Sequence, residues 1–231
     1  MSTNSIIAHA LDNSQTALSE YDSKALLEEY DVPVTRDTLV KTAEDAARAA
    51  GELGFPVVLK ACGPDISHKT ERELVAVGIR DEEELREEFD RIIVNLGDDP
   101  YEGIIVYSLV AGERELVIGL IRDPQFGPCV MFGLGGIFTE ILKDTSFRVA
   151  PITEADALQM MDDIRARDIL GPVRGKAPAD KEKLARALVG LGRLGLEQED
   201  VAEVDVNPLI IEPDGTPVAV DALVVLARPG D

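Results

Sequence analysis

Met131-Phe-Gly-Leu-Gly-Gly-Ile-Phe-Thr-Glu140, taken with Lys143, Asp144 and Phe147-Arg148, is the stretch on which the reading of this chain turns. It sets a glycine cluster directly behind an apolar strand candidate, Pro128 to Phe132. Glycine permits positive φ and close backbone approach, so such a turn can hold an anion on its N–H groups or simply reverse the chain. Two other segments carry residue types suited to a nucleotide with Mg2+, and they favour the first reading.

One is Lys60, which closes the apolar run Val57-Val-Leu-Lys60. A lysine ending a buried strand must snorkel to water or find a partner. A phosphate is a natural partner. The other is Glu203-Val-Asp-Val-Asn-Pro208, followed by Asp221. Asp205 and Asn207 are two apart on a strand, so they project from one face. Pro213-Asp-Gly-Thr-Pro217 predicts a hairpin. If residues 214–216 form a three-residue loop, Asn207 opposes residue 223 and Asp221 opposes residue 209. Asp221 then lies diagonally beside Asn207 on the same face, whereas a two-residue loop puts it on the other. The first register gives three oxygen donors suited to Mg2+ held jointly with phosphates. Solvated polar residues on a half-exposed sheet are the competing reading.

A third segment, Cys62-Gly-Pro-Asp-Ile-Ser-His-Lys-Thr70, follows Lys60 at once. The chain has two histidines. His9 lies near the N-terminus, and His68 falls in this polar loop. A neutral imidazole can attack phosphorus and form a phosphohistidine; a loop histidine can also be structural or merely exposed.

Outward from these segments the pattern mixes helices and strands. Residues 1–18 show no convincing period and predict a loose tail. Helical spacing runs from Ser19 to Tyr30, then from Thr42, a capping residue, to Leu53, with Gly54 as the stop. Strands are predicted at Phe55–Lys60, Leu74–Ile79, Gly103–Val110, Glu115–Ile121 and Cys129–Phe132. Asp81 caps a charged helix to Leu96, and Thr153 caps one whose Ala157, Met160, Met161 and Ile164 make a core face. Lys181–Leu194 is a further helix, and Val201–Val206, Leu209–Ile211 and Pro217–Leu226 close the chain as strands. Short loops between strands favour α+β with antiparallel sheets.

The 231 residues carry a formal net charge of −21, which repels nucleic acid and anionic membrane alike. No apolar run approaches the roughly 20 residues of a membrane span, and the N-terminus lacks a signal-peptide pattern, so a cytoplasmic location is expected. The basic side is 15 Arg against 8 Lys, and Asp equals Glu at 22 each. Such a carboxylate excess suits a salt-rich cytoplasm, where repulsion is screened; an ordinary acidic protein is the alternative. Cys62 and Cys129 have no zinc or redox spacing and read as buried thiols.

Taken together, Gly54-Phe-Pro-Val-Val-Leu-Lys60, Pro64-Asp-Ile-Ser-His-Lys-Thr70, Arg122-Asp-Pro-Gln-Phe-Gly-Pro128, Met131–Gly136, Phe147-Arg-Val-Ala-Pro151, Glu203–Leu209 and Val220-Asp-Ala222 resemble the ATP-grasp (beta) subunit of NDP-forming acyl-CoA synthetases. This is the ADP-forming acetate–CoA ligase family. The resemblance to the succinyl-CoA synthetase beta subunit is more distant. It covers roughly residues 19 to 226. It implies an ATP-grasp fold of the α+β class, with an N-terminal lobe at 19–106 and a C-terminal lobe at 107–231 clamping a nucleotide. It implies ATP/ADP and Mg2+ as cofactors and a CoA-binding alpha subunit as partner.

By the same resemblance Lys60 contacts phosphates, Ser108, Leu109 and Val110 form the hinge against adenine, and Glu115 joins the nucleotide contacts. Gly133, Gly135, Gly136 and Arg148 line the phosphate path. Asn207 and Asp221 hold Mg2+ with Asp205 beside them, and His68 carries the phosphoryl group to ADP. Where the family continues after His-Lys-Thr with Asp, one residue and Gly-Gly-Val, this chain has Glu71-Arg-Glu-Leu-Val75. Two alternatives stand beside the ligase reading: another ATP-grasp carboxylate ligase without a phosphohistidine, and a catalytically silent nucleotide-sensing subunit.

Overall fold

The computed structural model describes residues 3–64, 66, 69–136 and 144–227. In chain order the described elements are α1 (Thr3–Asp12), α2 (Glu20–Glu28), β1 (Thr38–Val40), α3 (Ala43–Leu53), β2 (Val57–Cys62), β3 (Val75–Ile79), α4 (Glu82–Leu96) and β4 (Gly103–Ser108). There follow β5 (Arg114–Asp123), β6 (Gly127–Leu134), β7 (Thr145–Val149), α5 (Glu154–Asp163), a 3-10 turn (Arg167–Leu170), α6 (Lys181–Glu197), β8 (Val201–Ile211), β9 (Pro217–Ala219) and β10 (Leu223–Leu226). They divide into two compact units, a smaller one of residues 19–21 and 35–109 and a larger one of residues 1–18, 22–34 and 110–231.

The smaller unit is a four-stranded antiparallel sheet in the order β1-β4-β2-β3. Local sequence sets its helix ends. The Thr42 hydroxyl accepts from Asp45 N at the start of α3, and the Asp81 carboxylate accepts from Glu84 N at the start of α4. Period two then decides what each strand buries. Val57, Leu59 and Ala61 join Ala46, Ala50, Leu85, Phe89 and Ile92 under the helices. Val58 and Cys62 face the other way, onto Ile105, Tyr107 and Tyr21. β2 is therefore buried on both sides along its whole length. Burial pushes the Cys62 thiol up to about 11, so it stays protonated.

The larger unit is a six-stranded antiparallel sheet in the order β10-β8-β5-β6-β7, with β9 also paired to β8. Its main core lies on one face, where Leu116, Ile118, Leu120, Val130, Phe132, Val204 and Val206 meet Met160, Met161, Leu188 and Leu191 of α5 and α6. Thr153 starts α5 with a complete capping box to Asp156. Arg114 is buried and donates to the carbonyls of Ile169, Gly171, Ala177 and Glu212, which ties the 169–177 segment to the end of β8.

Several expectations are corrected. Residues 1–18 are not a loose tail: they contain α1, and Ile6, Ile7, Ala10 and Leu18 enter the large core. Three apolar side chains on one short helix gave too weak a period to see. Residues 22–34 belong with the larger unit, and the division falls after Leu109 rather than after Val106. β1 was not bounded as a strand because it has only three residues, and β7 went unpredicted because it is short and largely polar. The terminal hairpin has neither expected register. Leu209 pairs with Ala219 and Ile211 with Pro217, while Asp205 pairs with Leu223. Both stretches keep one register, which places Asp221 directly opposite Asn207.

Candidate functional site

Pairing across the larger sheet assigns residues to its two faces. Phe147, Met131, Gly119, Asp205 and Leu223 form one continuous row across β7, β6, β5, β8 and β10. Val149, Cys129, Ile121, Glu203 and Val225 form the next row. Both rows lie on the side away from α5 and α6, because Val130, Leu120 and Val204, which alternate with them, are buried under those helices. Asp205 therefore stands on the open face, with Glu203 and Asn207 two residues to either side.

β8 makes an irregularity at this point. Its register with β5 shifts between Leu116 and Ile118, so Asn207 and Pro208 share the place opposite Val117. The extra residue lets 209 and 211 return to the core while Asn207 stays on the open face. The Asn207 Oδ1 accepts from the Gly136 backbone N–H over 3.1 Å. Sequence position gives no hint of this contact, which spans 71 residues.

The glycines next to it have steric reasons. A Cβ on Gly135 would stand 2.4 Å from the Leu116 carbonyl oxygen, and the Gly135 N–H donates to Glu115 O over 2.9 Å. Gly136 has φ of +61°, and a Cβ there would come within 1.8 Å of Glu115 Oε2. Gly133 lies in β6 opposite Thr145. The turn after β6 is thus pressed against β5, with Glu115, Gly136 and Asn207 as neighbours. Asp144 acts structurally, its carboxylate accepting from Arg165 N and Ala166 N, both at 2.8 Å. Glu140 and Lys143 fall outside the described residues.

Burial raises the Asp205 pKa to about 6, and the negative charges of Glu203 and Asp221 add to the effect. The open face therefore carries more anionic charge than it can neutralise by itself. Two carboxylates and an amide oxygen are hard donors of the kind Mg2+ takes when phosphates supply its remaining ligands. Asp205, Asn207 and Asp221 fit that ion. Among the described residues no group of three or more His, Cys, Asp or Glu is placed to hold a metal ion.

Arg148 is not part of this face. It pairs with Val130, which puts it on the helix-covered side of the sheet. There its guanidinium binds Asp163 of α5 at 2.5 Å. The resemblance sets Arg148 with Gly133, Gly135 and Gly136 on the phosphate path; its strand position is on the sheet face opposite to that of Asp205.

In the smaller unit Lys60 is 6% exposed. Its ammonium lies 3.0 Å from Glu20 Oε1 and 2.9 Å from Oε2. Lys69 Nζ binds the same Oε2 at 2.6 Å. Glu20 opens α2 and reaches the face of β2 that α3 and α4 leave uncovered. The sequence marked Lys60 but not its partner, since a carboxylate 40 residues upstream carries no local signal.

His68 itself lies outside the described residues. The divergent segment beyond it is described. Glu73 adopts φ of +54°, a left-handed conformation, where the resembled family has glycine. Arg91 and Asn95 of α4 donate to its carbonyl, and Leu74, at the second glycine position, is fully buried in the helix-side core. The turn is thus kept without its glycines. Of the hinge segment, the Leu109 N–H donates to Pro56 O over 3.0 Å. Leu109 also lines a cleft of about 270 Å³ with Phe55, Pro56, Gly78 and Arg80. Ser108 ends β4, and Val110 opens the return to the larger unit.

Two antiparallel α+β units, one with a buried strand lysine and one with an acidic open face beside a glycine turn, define an ATP-grasp protein. The ATP-grasp domain family matches residues 9–226. The beta subunit of acetate–CoA ligase (ADP-forming) I from Pyrococcus furiosus is 45% identical over 213 residues, covering 90% of this chain and 91% of that one. The solved dinucleotide-forming acetyl-coenzyme A synthetase 1 of Ca. Korarchaeum cryptofilum, in complex with coenzyme A, Ca-AMPCP and HgCl+, is similar at a TM-score of 0.92 and 42% identity, over 98% of this chain and 100% of that one. A second structure of that enzyme holds coenzyme A and Mg-AMPPCP with its phosphohistidine segment pointing towards the nucleotide-binding site; its TM-score is 0.87 at 42% identity, with coverage of 98% and 100%. The chain belongs to the ATP-grasp family and, within it, to the beta subunits of ADP-forming acetate–CoA ligases.

Proposed function

We propose that this chain passes a phosphoryl group between a phosphohistidine and ADP, as one half of a ligase that interconverts an acyl-CoA and its free acid. The observation that carries the proposal is the Asp205, Asn207 and Asp221 face joined to the Gly136 turn. It presents hard oxygen donors whose charge calls for a cation. The smaller unit, taken by itself, carries Lys60, a buried ammonium suited to phosphate oxygens. Mg2+, when bound, would be held by Asp205, Asn207 and Asp221 and would neutralise phosphate charge. Phosphoryl transfer asks mainly for in-line positioning and charge neutralisation, so few other groups are required of the chain.

The bonds balance in three transfers. Inorganic phosphate displaces CoA from the thioester to give an acyl phosphate. A histidine takes its phosphoryl group and releases the acid. ADP then takes the group from the histidine to give ATP. The first transfer needs a CoA-binding partner, an alpha subunit. His68 is the proposed carrier on this chain, Ser108, Leu109 and Val110 the adenine-side segment, and Glu115, Gly133, Gly135 and Gly136 the lining beside the phosphates. The beta-subunit identity of the Pyrococcus relative supports the two-chain arrangement.

Two finer readings accompany this one. Two free thiols, Cys62 and Cys129, suit a reducing cytoplasm, and no helix among the described residues is long and apolar enough to cross a membrane. The net charge of −21 suits a salt-rich one. The functional test is ATP formation from ADP, phosphate and acetyl-CoA by this chain mixed with a CoA-binding alpha subunit of an ADP-forming acetate–CoA ligase. Turnover that needs both chains is the expected result. No turnover with a partner that is active with its own beta subunit overturns the proposal.

A further inference from the structure

We infer that Lys69 is a second phosphate-binding cation, held beside Lys60 by Glu20, so that the three side chains form one site for the transferred phosphoryl group. The inference rests on the phosphoryl-transfer reading above and adds a residue and a positioning partner to it.

The geometry is specific. Both ammoniums lie on one oxygen, Glu20 Oε2, at 2.9 Å for Lys60 and 2.6 Å for Lys69. They are therefore no further apart than those two distances together. The Glu20 side chain is 2% exposed, that of Lys60 7% and that of Lys69 16%. Two like charges this close and this dry need an anion between them. One carboxylate is shared by two ammoniums, so these three side chains together are cationic inside a chain of net charge −21. A structural ion pair needs one lysine only. Lys69 is the second cation on the same carboxylate, and it is the more exposed of the two.

The backbone fixes Lys69 in place. Its carbonyl accepts from Leu74 N over 2.7 Å, and Leu74 is fully buried, so the segment bearing Lys69 is anchored in the helix-side core. Lys69 also directly follows His68 in the sequence. An incoming phosphoryl group has several acceptor oxygens, so it can take hydrogen bonds from both ammoniums while Glu20 keeps its hold on each. Glu20 acts as a positioning residue: it keeps two repelling cations together until the phosphate arrives.

The test compares binding of Mg-ATP, Mg-ADP and AMP to the full chain by calorimetry, for wild type, Lys69→Met, Lys69→Arg and Glu20→Gln. Lys69→Met leaves the Glu20–Lys60 pair intact. It should weaken Mg-ATP binding about 10- to 100-fold, the usual loss for one charge-assisted hydrogen bond, with AMP affinity unchanged. Lys69→Arg should restore most of it, and Glu20→Gln should lower the ratio of ATP to AMP affinity. A purely structural Lys69 would change thermal stability but leave that ratio alone, which overturns the inference. If the wild type binds none of the three nucleotides, the function proposed above fails and this inference fails with it. A wild type that prefers ATP to AMP, with Lys69→Met doing the same, sinks the inference alone.

Discussion

The Gly136 amide donates to the Asn207 side-chain oxygen over 3.1 Å, and this single bond ties the glycine turn after β6 to the bulge in β8. It fixes the Asn207 amide with its oxygen towards Gly136, on the same open face as Asp205 and opposite Asp221. The turn is thereby a positioning element for the candidate metal donors. Two substitutions separate these roles. Asn207→Ala should lower Mg-ATP affinity by on the order of 100-fold while AMP binding persists, since ligand loss exceeds the outer-shell losses of about 10- to 100-fold. Gly136→Ala should disturb the turn itself, because its Cβ meets the Glu115 carboxylate at positive φ. Calorimetric titration of each variant with Mg-ATP and with AMP checks both; equal losses for the two nucleotides would remove Asn207 from the metal site.

Asp205 gives a pH signature. Its folded pKa is raised from 3.8 to about 6, with burial the main cause, so the native chain keeps a proton that the unfolded chain releases. Stability should fall as pH rises from about 4 to about 6 and stay lower above. Asp205→Asn removes this slope. After allowing for solvent screening, the variant should gain about 1 kcal/mol at pH 8, or about 2–4 °C in Tm, and nothing at pH 4. The same change should weaken Mg-ATP binding. Thermal melts at the two pH values decide it, and an equal gain at both would rule out the titration of Asp205 as the cause.

Glu73 holds a left-handed backbone without being glycine. Glu73→Gly should therefore stabilise the chain by about 1 kcal/mol, the usual cost of that conformation for a residue with a Cβ. Chemical denaturation measures it. A destabilised variant would mean that the Glu73 side chain contributes more than its backbone costs.

Arg114 has four carbonyl partners and a buried Nε with no partner among the described atoms. Arg114→Met leaves those carbonyls short of donors, and it should cost about 3 kcal/mol, read from the denaturation midpoint. A loss below about 1 kcal/mol would show that water replaces the guanidinium freely.

The net charge of −21 makes a further prediction. Screening shortens from about 10 Å at 0.1 M salt to about 3 Å at 1 M, so carboxylate repulsion fades over that range. Tm should rise steadily from 0.1 to 2 M KCl. A maximum at low salt would assign the charge to solubility alone.

What was readable in advance follows a physical rule. Capping residues with strong apolar runs behind them, Thr42, Asp81 and Thr153, announced their helices, because cap and core face are both local. Lys60, Asp205 and Asn207 stood out because polar groups interrupt apolar strands there. The glycine cluster marked a turn, but not the reason for each glycine, which is a neighbour on β5 for Gly135 and Gly136 and Thr145 of β7 for Gly133. Glu20, Lys69 and Arg114 were missed because their partners are distant in sequence. The face that Arg148 takes depends on its pairing with β6, and the Asp221 register was missed because the hairpin closes with Ile211 opposite Pro217, which centres the turn on Asp214 rather than Gly215. Helix α1 was missed because its burial comes from tertiary packing rather than from a visible period.

The most direct test of phosphoryl transfer through this chain is the passage of label from γ-labelled Mg-ATP to the full chain, comparing wild type with His68→Ala in the presence of an alpha subunit. Acid-labile, base-stable label on the wild-type chain and none on the variant is the predicted result. Equal labelling of both chains, or no label on wild type under conditions where the mixture turns over, would contradict it.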